Sequence, residues 1–583
     1  MCVLIPLVVS ALTLLSAPPA QAQLVDEDDL ARIHREEPEP PDPAFQPATP
    51  LLPPTPPSVL LSGPFLTVQA NVDENGRNIP GDAANEPSIA VNPLNSDQIV
   101  IGWRQFDTIQ SNFRQAGRAY SHDGGLSWTF PGVFTPGVFR SDPVLDFDAD
   151  GLFYYYSLQN NFCCDFFISD DGGVNWSDPF PARGGDKQWF GIDRTSGIGR
   201  GNIYASWTSS FGCNGARLLN FTRSTDGGRT FSNPITLPGQ MQWGTYAIGP
   251  DGEVYVSSVS FNVSKSTNAQ DPNQAPVFNV VGSFTLGGQF VSGTGPNPGG
   301  LVGQMWIDVD ESDGPTRGHL YVLAPVDPPG IDPLDIMIAR SRNGGVTWDA
   351  PVRVNDDPPV ANAWNWFGTM SVAPSGRIDA VWNDTRTSLN TRISETFYSW
   401  SSDGGQTWSP SVMAGPAFDS YAGWPRQNKL GDYYDMESDE LGAHLAYAAT
   451  YNAEQDVYYM RIAVDCNDNR LHDGDDIASG RSLDTNGNRV PDECEGECKG
   501  TEAIGTAACK VKRGGATRLI AKLVGGLDGD TFNVELSSGE RQNGTLNRKG
   551  KAKAKFADVP LGPGTAAASW GCGAEARRDY DCD

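Results

Sequence analysis

Basic residues are scarce in this chain. Its 583 residues include 42 Lys and Arg against 71 Asp and Glu, a formal net charge of -29. That excess repels phosphate and argues against nucleic acid or an anionic membrane as partner. It is compatible with calcium, a saline milieu or simply a solvated acidic surface. Long apolar runs are also scarce, and beyond the N-terminal segment none could span a bilayer as a helix. The one apolar run lies in MCVLIPLVVSALTLLSAPPAQAQ and ends in small residues, with Ala20-Gln21-Ala22 as a cleavage site. Residues 1–22 therefore read as a secretory signal, although no Lys or Arg precedes the run. A secreted, extracellular or periplasmic setting, with cell-surface association, is the expectation. Cysteine is sparse too: ten in all, nine of them beyond the signal. Export permits disulfides, but spacing does not give their connectivity. The neighbours Cys163 and Cys164 cannot bridge each other without strain, which leaves Cys213 as a partner for one of them.

What the chain has in abundance is one short phrase. SHDGGLSW (121–128), SDDGGVNW (169–176), STDGGRTF (224–231), SRNGGVTW (341–348) and SSDGGQTW (401–408) share Ser-x-Asp-Gly-Gly-x-x-aromatic, with Asn343 replacing the acid once. Each piece fits a locked hairpin turn. The Asp accepts from backbone N–H groups of its own turn, the glycines permit left-handed backbone, and the aromatic packs between sheets. Around the phrases a unit of roughly 45–60 residues recurs. Its first strands are SIAVNP, PVLDFD, WFGID, TYAIGP, MWIDVD, FGTMSV and YYDMES. A second strand and a third follow in each unit, rich in aromatic and β-branched residues and alternating in polarity. FNVSKSTNAQD fills one place where a box is missing. The fold class expected is all-β: a β-propeller of about seven blades, or six if one unit merges, over residues 65–464. LTVQANVD (66–73) matches the fourth-strand segment PVRVNDD (351–357), so the N-terminus is expected to complete the last blade. Residues 23–64 read as an acidic and then proline-rich linker.

Residues 465–496 carry a duplicate, DCNDNRLHDGDD and DTNGNRVPDECE. Side-chain oxygens fall at Asp465, Asn467, Asn469, Asp473 and Asp476, and again at Asp484, Asn486, Asn488, Asp492 and Glu495. Leu471 and Val490 can each add a backbone carbonyl. This is the spacing a structural Ca2+ requires, though Arg470 and Arg489 stand where a glycine usually makes the sharp turn. The segment resembles dockerin or thrombospondin type 3 repeats. From 497 to 583, alternating segments predict a small β-sandwich, with Cys498, Cys509, Cys572 and Cys582 placed to clip its ends and KGKAKAKF setting lysines along one strand face.

The repeated phrase over 65–464 resembles the Asp-box (BNR) repeats of sialidases and related secreted propellers. In that family three arginines hold a carboxylate, a tyrosine–glutamate pair is the nucleophile and an aspartate the acid. Here EPSIAVNP lacks the arginine of the family's first motif. The boxes lie on one face of such a disc, so the resemblance places a site on the other. The residues expected there as a catalytic set are Tyr433, Asp432, Asp384, Glu86 and Asp142. Arg104, Arg386 and Arg426, with Trp189, Trp306 and Trp366, are the expected substrate-binding set. Each has a plainer reading: tryptophans as wall packing, Arg104 and Arg386 paired with Asp107 and Asp384, and Asp384 as a turn cap. The function implied is an exo-glycosidase acting on acidic sugars of extracellular glycans. The alternative is a non-catalytic propeller binding glycan or cell-surface protein on a calcium-stiffened stalk.

Overall fold

A computed structural model describes residues 58–62, 65–239, 241–440, 442–463, 477, 480–483, 501–511, 517–526, 531–570 and 574–582. The signal segment, most of the proline-rich linker and all twelve residues named as calcium ligands lie outside the described residues. Among the described residues the named elements are β-strands, apart from a 3-10 turn at Cys213–Gly215.

The apolar runs become strands buried on both faces. Ile99–Phe106 and Phe153–Leu158 are buried at every residue, which requires a sheet covered on each side by another. The cover comes from neighbouring sheets. Ala83–Val91, Ser141–Phe147, Trp189–Ile192, Tyr246–Ile248, Trp306–Val309, Asn365–Val372 and Asp435–Asp439 each head a small antiparallel sheet; in the first six the strands follow in chain order, and in the last, two N-terminal strands are added after Asp456–Ala463. Each sheet packs on the next, and the sheet headed by Asp435–Asp439 packs back on Ala83–Val91. An array that returns to its start is a ring, and the fold is of the β-propeller type.

Side chains on the first strands tie neighbouring sheets together. Ser88 Oγ accepts from Leu145 N (2.8 Å), Thr245 Oγ1 from Ile307 N (3.0 Å), Asp308 Oδ2 from Val372 N (2.7 Å), Ser371 Oγ from Ser438 N (2.9 Å) and Asp435 Oδ2 from Ile89 N (3.1 Å). The last of these crosses from the final sheet to the first. Closure is completed by Phe65–Gln69, which pairs with Asp456–Ala463 in the register Leu66↔Arg461 to Gln69↔Tyr458. Val59–Ser62 adds an outer strand to it. That strand falls inside the segment read from sequence as linker. Its backbone pairs with the Phe65–Gln69 edge, which would otherwise lack partners, in the register Val59↔Val68 to Ser62↔Phe65.

The repeated turns share one geometry. In the first, Ser121 Oγ accepts from Gly125 N (2.9 Å) and Asp123 Oδ1 from Ser127 N (2.9 Å), while Trp128 Nε1 donates to Gly125 O (3.1 Å). Burial works against the Asp123 charge, but the bonds from Ser127 and Ser121 outweigh it and hold the carboxyl below its usual range. In the sheet without a box, Ser266 and Asn268 reproduce part of the lock through Ala269 N→Ser266 Oγ (3.0 Å). Cys163 is bonded to Cys213, and Cys164 is buried and free.

The C-terminal region forms two sheets, Ala503–Val511 with Thr517–Val524 and Ala552–Ala557, and Thr531–Leu536 with Arg541–Thr545, Gly562–Trp570 and Glu575–Cys582. Leu519, Phe532, Val534, Phe556 and Trp570 share one core between them, and Cys509 is bonded to Cys582. Lys553 and Lys555 point to solvent while Ala554 and Phe556 are buried. Two disulfides fit an oxidising compartment. Among the described residues no helix is long and apolar enough to cross a membrane.

Candidate functional site

The channel through the ring has two ends of different character. At the end away from the repeated turns, several first strands carry a residue with left-handed backbone in or just before their opening residues: Glu86 (φ 49°), Asp142 (φ 44°), Lys187 (φ 51°), Trp243 (φ 48°) and Phe367 (φ 55°). The strand register slips beside three of them, between Asn85 and Ser88, Ser141 and Val144, and Trp366 and Thr369. A bulge re-aims side chains, and here charged ones converge. Arg104 meets Glu86 at 3.0 Å, and Lys187 Nζ meets Asp432 Oδ2 at 2.5 Å. Lys429 Nζ sits 2.9 Å from Asp432 and 3.8 Å from Glu86. Asp142 accepts from Ser141 Oγ (2.5 Å) and feels the charges of Lys187 and Arg104. None of these six side chains is more than 7% exposed.

Burial pushes the Glu86 carboxyl well above its usual range, against the pull of Arg104. Burial opposes the charge of Asp432 as well, but Lys187 and Lys429 outweigh it and hold that carboxyl well below. Like charges at close quarters oppose each other's ionisation, so the two acids are pushed in opposite directions, while the three cations Arg104, Lys187 and Lys429 face them.

A roof seals the network. The hairpin Ser292–Thr294 and Asn297–Leu301 lies against the segment leading to the last sheet. Leu301 N donates to Asp432 Oδ1 (2.9 Å), Asn297 Nδ2 to Gly431 O (2.7 Å), Leu430 N to Asn297 Oδ1 (2.8 Å) and Gly299 N to Asn428 O (2.8 Å). Below the charges lies an aromatic layer, with Trp189 edge-on to both Trp306 and Tyr433 at 5.3 Å. The Tyr433 hydroxyl donates to Pro143 O (2.8 Å), and burial pushes its pKa well above that of a free phenol.

The structure thus gathers Glu86, Arg104, Asp142, Asp432, Tyr433, Trp189 and Trp306 around one end of the channel. The other sequence-derived residues are held elsewhere. Arg386 Nε bonds Asp384 Oδ2 (2.6 Å) and its Nη1 bonds Asp356 (2.6 Å), with the guanidinium 4.2 Å over Phe397. Asp384 also accepts from Arg386 N and Trp382 Nε1, which is the capping geometry. Arg426 is exposed. Trp366 is fully buried and donates to Ser394 Oγ (3.0 Å). The three arginines do not share a partner.

The open end of the channel is the other one. A cavity of about 520 Å³ begins under Trp189 and Trp306 and runs out between the C-terminal ends of the first strands, on the face that carries the repeated turns. Asp146, Asp308, Asp435 and Glu437 line it, with Arg194 the one guanidinium. Burial raises Asp308 to about 7, although Val372 N and Val309 N bond it. Burial likewise takes Asp435 to about 7 and Glu437 to about 8. Arg194 donates to Asp146 and lies 3.9 Å over the Phe147 ring. Sequence reasoning missed Asp146, Asp308 and Glu437, although LDFD, IDVD and MESD each carry one as their second residue, near the close of a first strand. Carboxyl groups above an indole floor can exchange hydrogen bonds with hydroxyls.

No family model matches the chain, and no curated protein matches it. Among solved structures it is similar to a protein of unknown function from Dyadobacter fermentans DSM 18053, at 14% identity over 68% of this chain and 98% of the other, with a TM-score of 0.37. A fungal alcohol oxidase of the AA5 family in complex with copper is 12% identical over 90% and 99%, at 0.44. A lectin of Aleuria aurantia, solved with a fucosylated ligand, is 13% identical over 57% and 97%, at 0.30.

Proposed function

We propose that this chain is an exported seven-bladed propeller that binds neutral glycan through its channel and does not hydrolyse acidic sugars. One observation carries the reading: access is inverted. The residues with the chemistry of a sialidase, Glu86, Asp142, Asp432 and Tyr433, are at most 3% exposed and roofed over. The cavity that does open is lined with carboxyl groups, which can exchange hydrogen bonds with sugar hydroxyls but give a sialic acid no free cation, since its one arginine, Arg194, is held by Asp146. Trp189 and Trp306 give its floor the apolar faces that stack on pyranose rings. In this reading residues 465–496, with their calcium-type spacing, form a stalk carrying the ring, and the partner is an extracellular glycan.

The test is a glycan array followed by calorimetry, with a fluorogenic sialoside panel in parallel. Neutral-glycan binding weakened about tenfold or more by Trp306→Ala is the expected result. Sialoside turnover abolished by Tyr433→Phe would overturn the proposal, and so would an array with no neutral glycan bound.

A further inference from the structure

The ring is closed by segments from its two ends, and the joint between them contains three carboxylates. The stretch after Phe65–Gln69 runs along the last sheet, with Ala70 N bonded to Val457 O (2.8 Å) and Ala84 N to Gln455 O (2.7 Å). There Asp82, Glu454 and Asp456 each place a carboxylate oxygen within 4.8 Å of the others. Asp82 and Asp456 are 2% and 0% exposed. Among the described residues no Lys, Arg or His is paired with any of the three.

Their bonds come from neutral donors. Gln105 Nε2 reaches Asp82 Oδ2 (2.8 Å), Gly81 N and Asn78 Nδ2 reach Glu454 (2.7 and 3.4 Å), and Asn71 Nδ2, Asn452 Nδ2 and Tyr458 Oη reach Asp456 (2.8, 3.1 and 3.3 Å). None of these donors carries a charge. Carboxyl groups gathered at close quarters in a buried joint repel one another when ionised, and a cation among them offsets that repulsion. One buried oxygen is also left over, because Asp82 Oδ1 accepts no hydrogen bond.

We propose that Asp82, Glu454 and Asp456 hold a divalent cation, calcium by donor class, that pins the N-terminal segment to the last sheet. Donors that are all carboxylate oxygen suit a hard cation, which completes its shell with water or carbonyls; the absence of thiolate and imidazole disfavours zinc or copper. The ion would bridge residues far apart in sequence at the one joint of the ring that no chain connection spans.

The full chain, stripped with EDTA, is titrated with CaCl2 while thermal unfolding is followed and bound calcium is counted by atomic emission. Wild type is expected to gain several degrees in Tm. The Asp82→Asn/Glu454→Gln variant should lose a site-specific part of that gain and bind about one calcium fewer per chain, whatever residues 465–496 bind. Removing two charges relieves repulsion in the metal-free protein, so the variant should fold; if it does not, Asp456→Asn is read by the same count. Equal calcium content and an equal Tm gain in variant and wild type would overturn the proposal.

Discussion

The ammonium of Lys187 lies 2.5 Å from Asp432 Oδ2, although 245 residues separate the two in the chain. Lys187 precedes the first strand of one sheet and Asp432 that of another, so ring closure alone brings them together. Breaking a buried pair strands a charge, which typically costs about 3–5 kcal/mol. Asp432→Asn should therefore lower the unfolding free energy by about that much in urea titrations, because it leaves Lys187 and Lys429 facing each other. A loss under about 1 kcal/mol would mean that solvent already screens the network.

Gly300 makes the roof possible. A Cβ there would lie 2.4 Å from Asp432 Oδ1 and 2.8 Å from Asn297 Nδ2. Gly300→Ala is expected to cost about 1–3 kcal/mol and to make the hairpin at 292–301 more sensitive to limited proteolysis. An unchanged digestion pattern would count against a tightly seated roof.

Glu437 sets a pH dependence. Burial raises its carboxyl from 4.5 to about 8, with Arg194 opposing and Asp146, Asp308 and Asp435 reinforcing the rise. The native state then keeps a proton that the unfolded chain releases, so the associated stability is full below about pH 4.5 and is lost as pH rises through about 8. Thermal unfolding between pH 5 and 8.5 should show Tm falling with pH, and Glu437→Gln should flatten that fall. A variant with the same slope as wild type would dismiss Glu437 as the source.

Asn343 predicts how the repeated turns tolerate change. Its Oδ1 accepts from Thr347 N at 2.9 Å, the bond that Asp403 makes with Thr407 N at 3.0 Å. Asp403→Asn should thus cost less than about 0.5 kcal/mol, whereas Asp403→Ala should cost about 1–2 kcal/mol by leaving turn donors unmet. Chemical denaturation of the two variants decides it, and equal losses would show that geometry rather than the side-chain acceptor holds the turn.

Much of the strand pattern was legible because its causes are local. Aromatic- and β-branched-rich runs such as FYYYSL and IVIGWRQF admit little but a covered strand, and Ser-x-Asp-Gly-Gly closes on itself within eight residues. The same reasoning found Glu86, Arg104, Asp142 and Asp432 by their position before or after a strand. It could not foresee the roof, since the hairpin at 292–301 reads as an ordinary Gly- and Pro-rich loop. The acids of the open end were hidden for a related reason: an acid alternating with apolar residues in a strand normally marks a solvent face, and only a closed ring turns that face into a channel.

Residue order by itself determined the strands, the locked turns and the pairing of the N-terminal strand with the last sheet, because each follows from alternation, turn chemistry or matching segments. Only the tertiary structure decided which end of the channel is open, which arginine answers which acid, and that three carboxylates meet at the seam. Those outcomes depend on distances between residues hundreds of positions apart, and such distances exist only once the ring has closed.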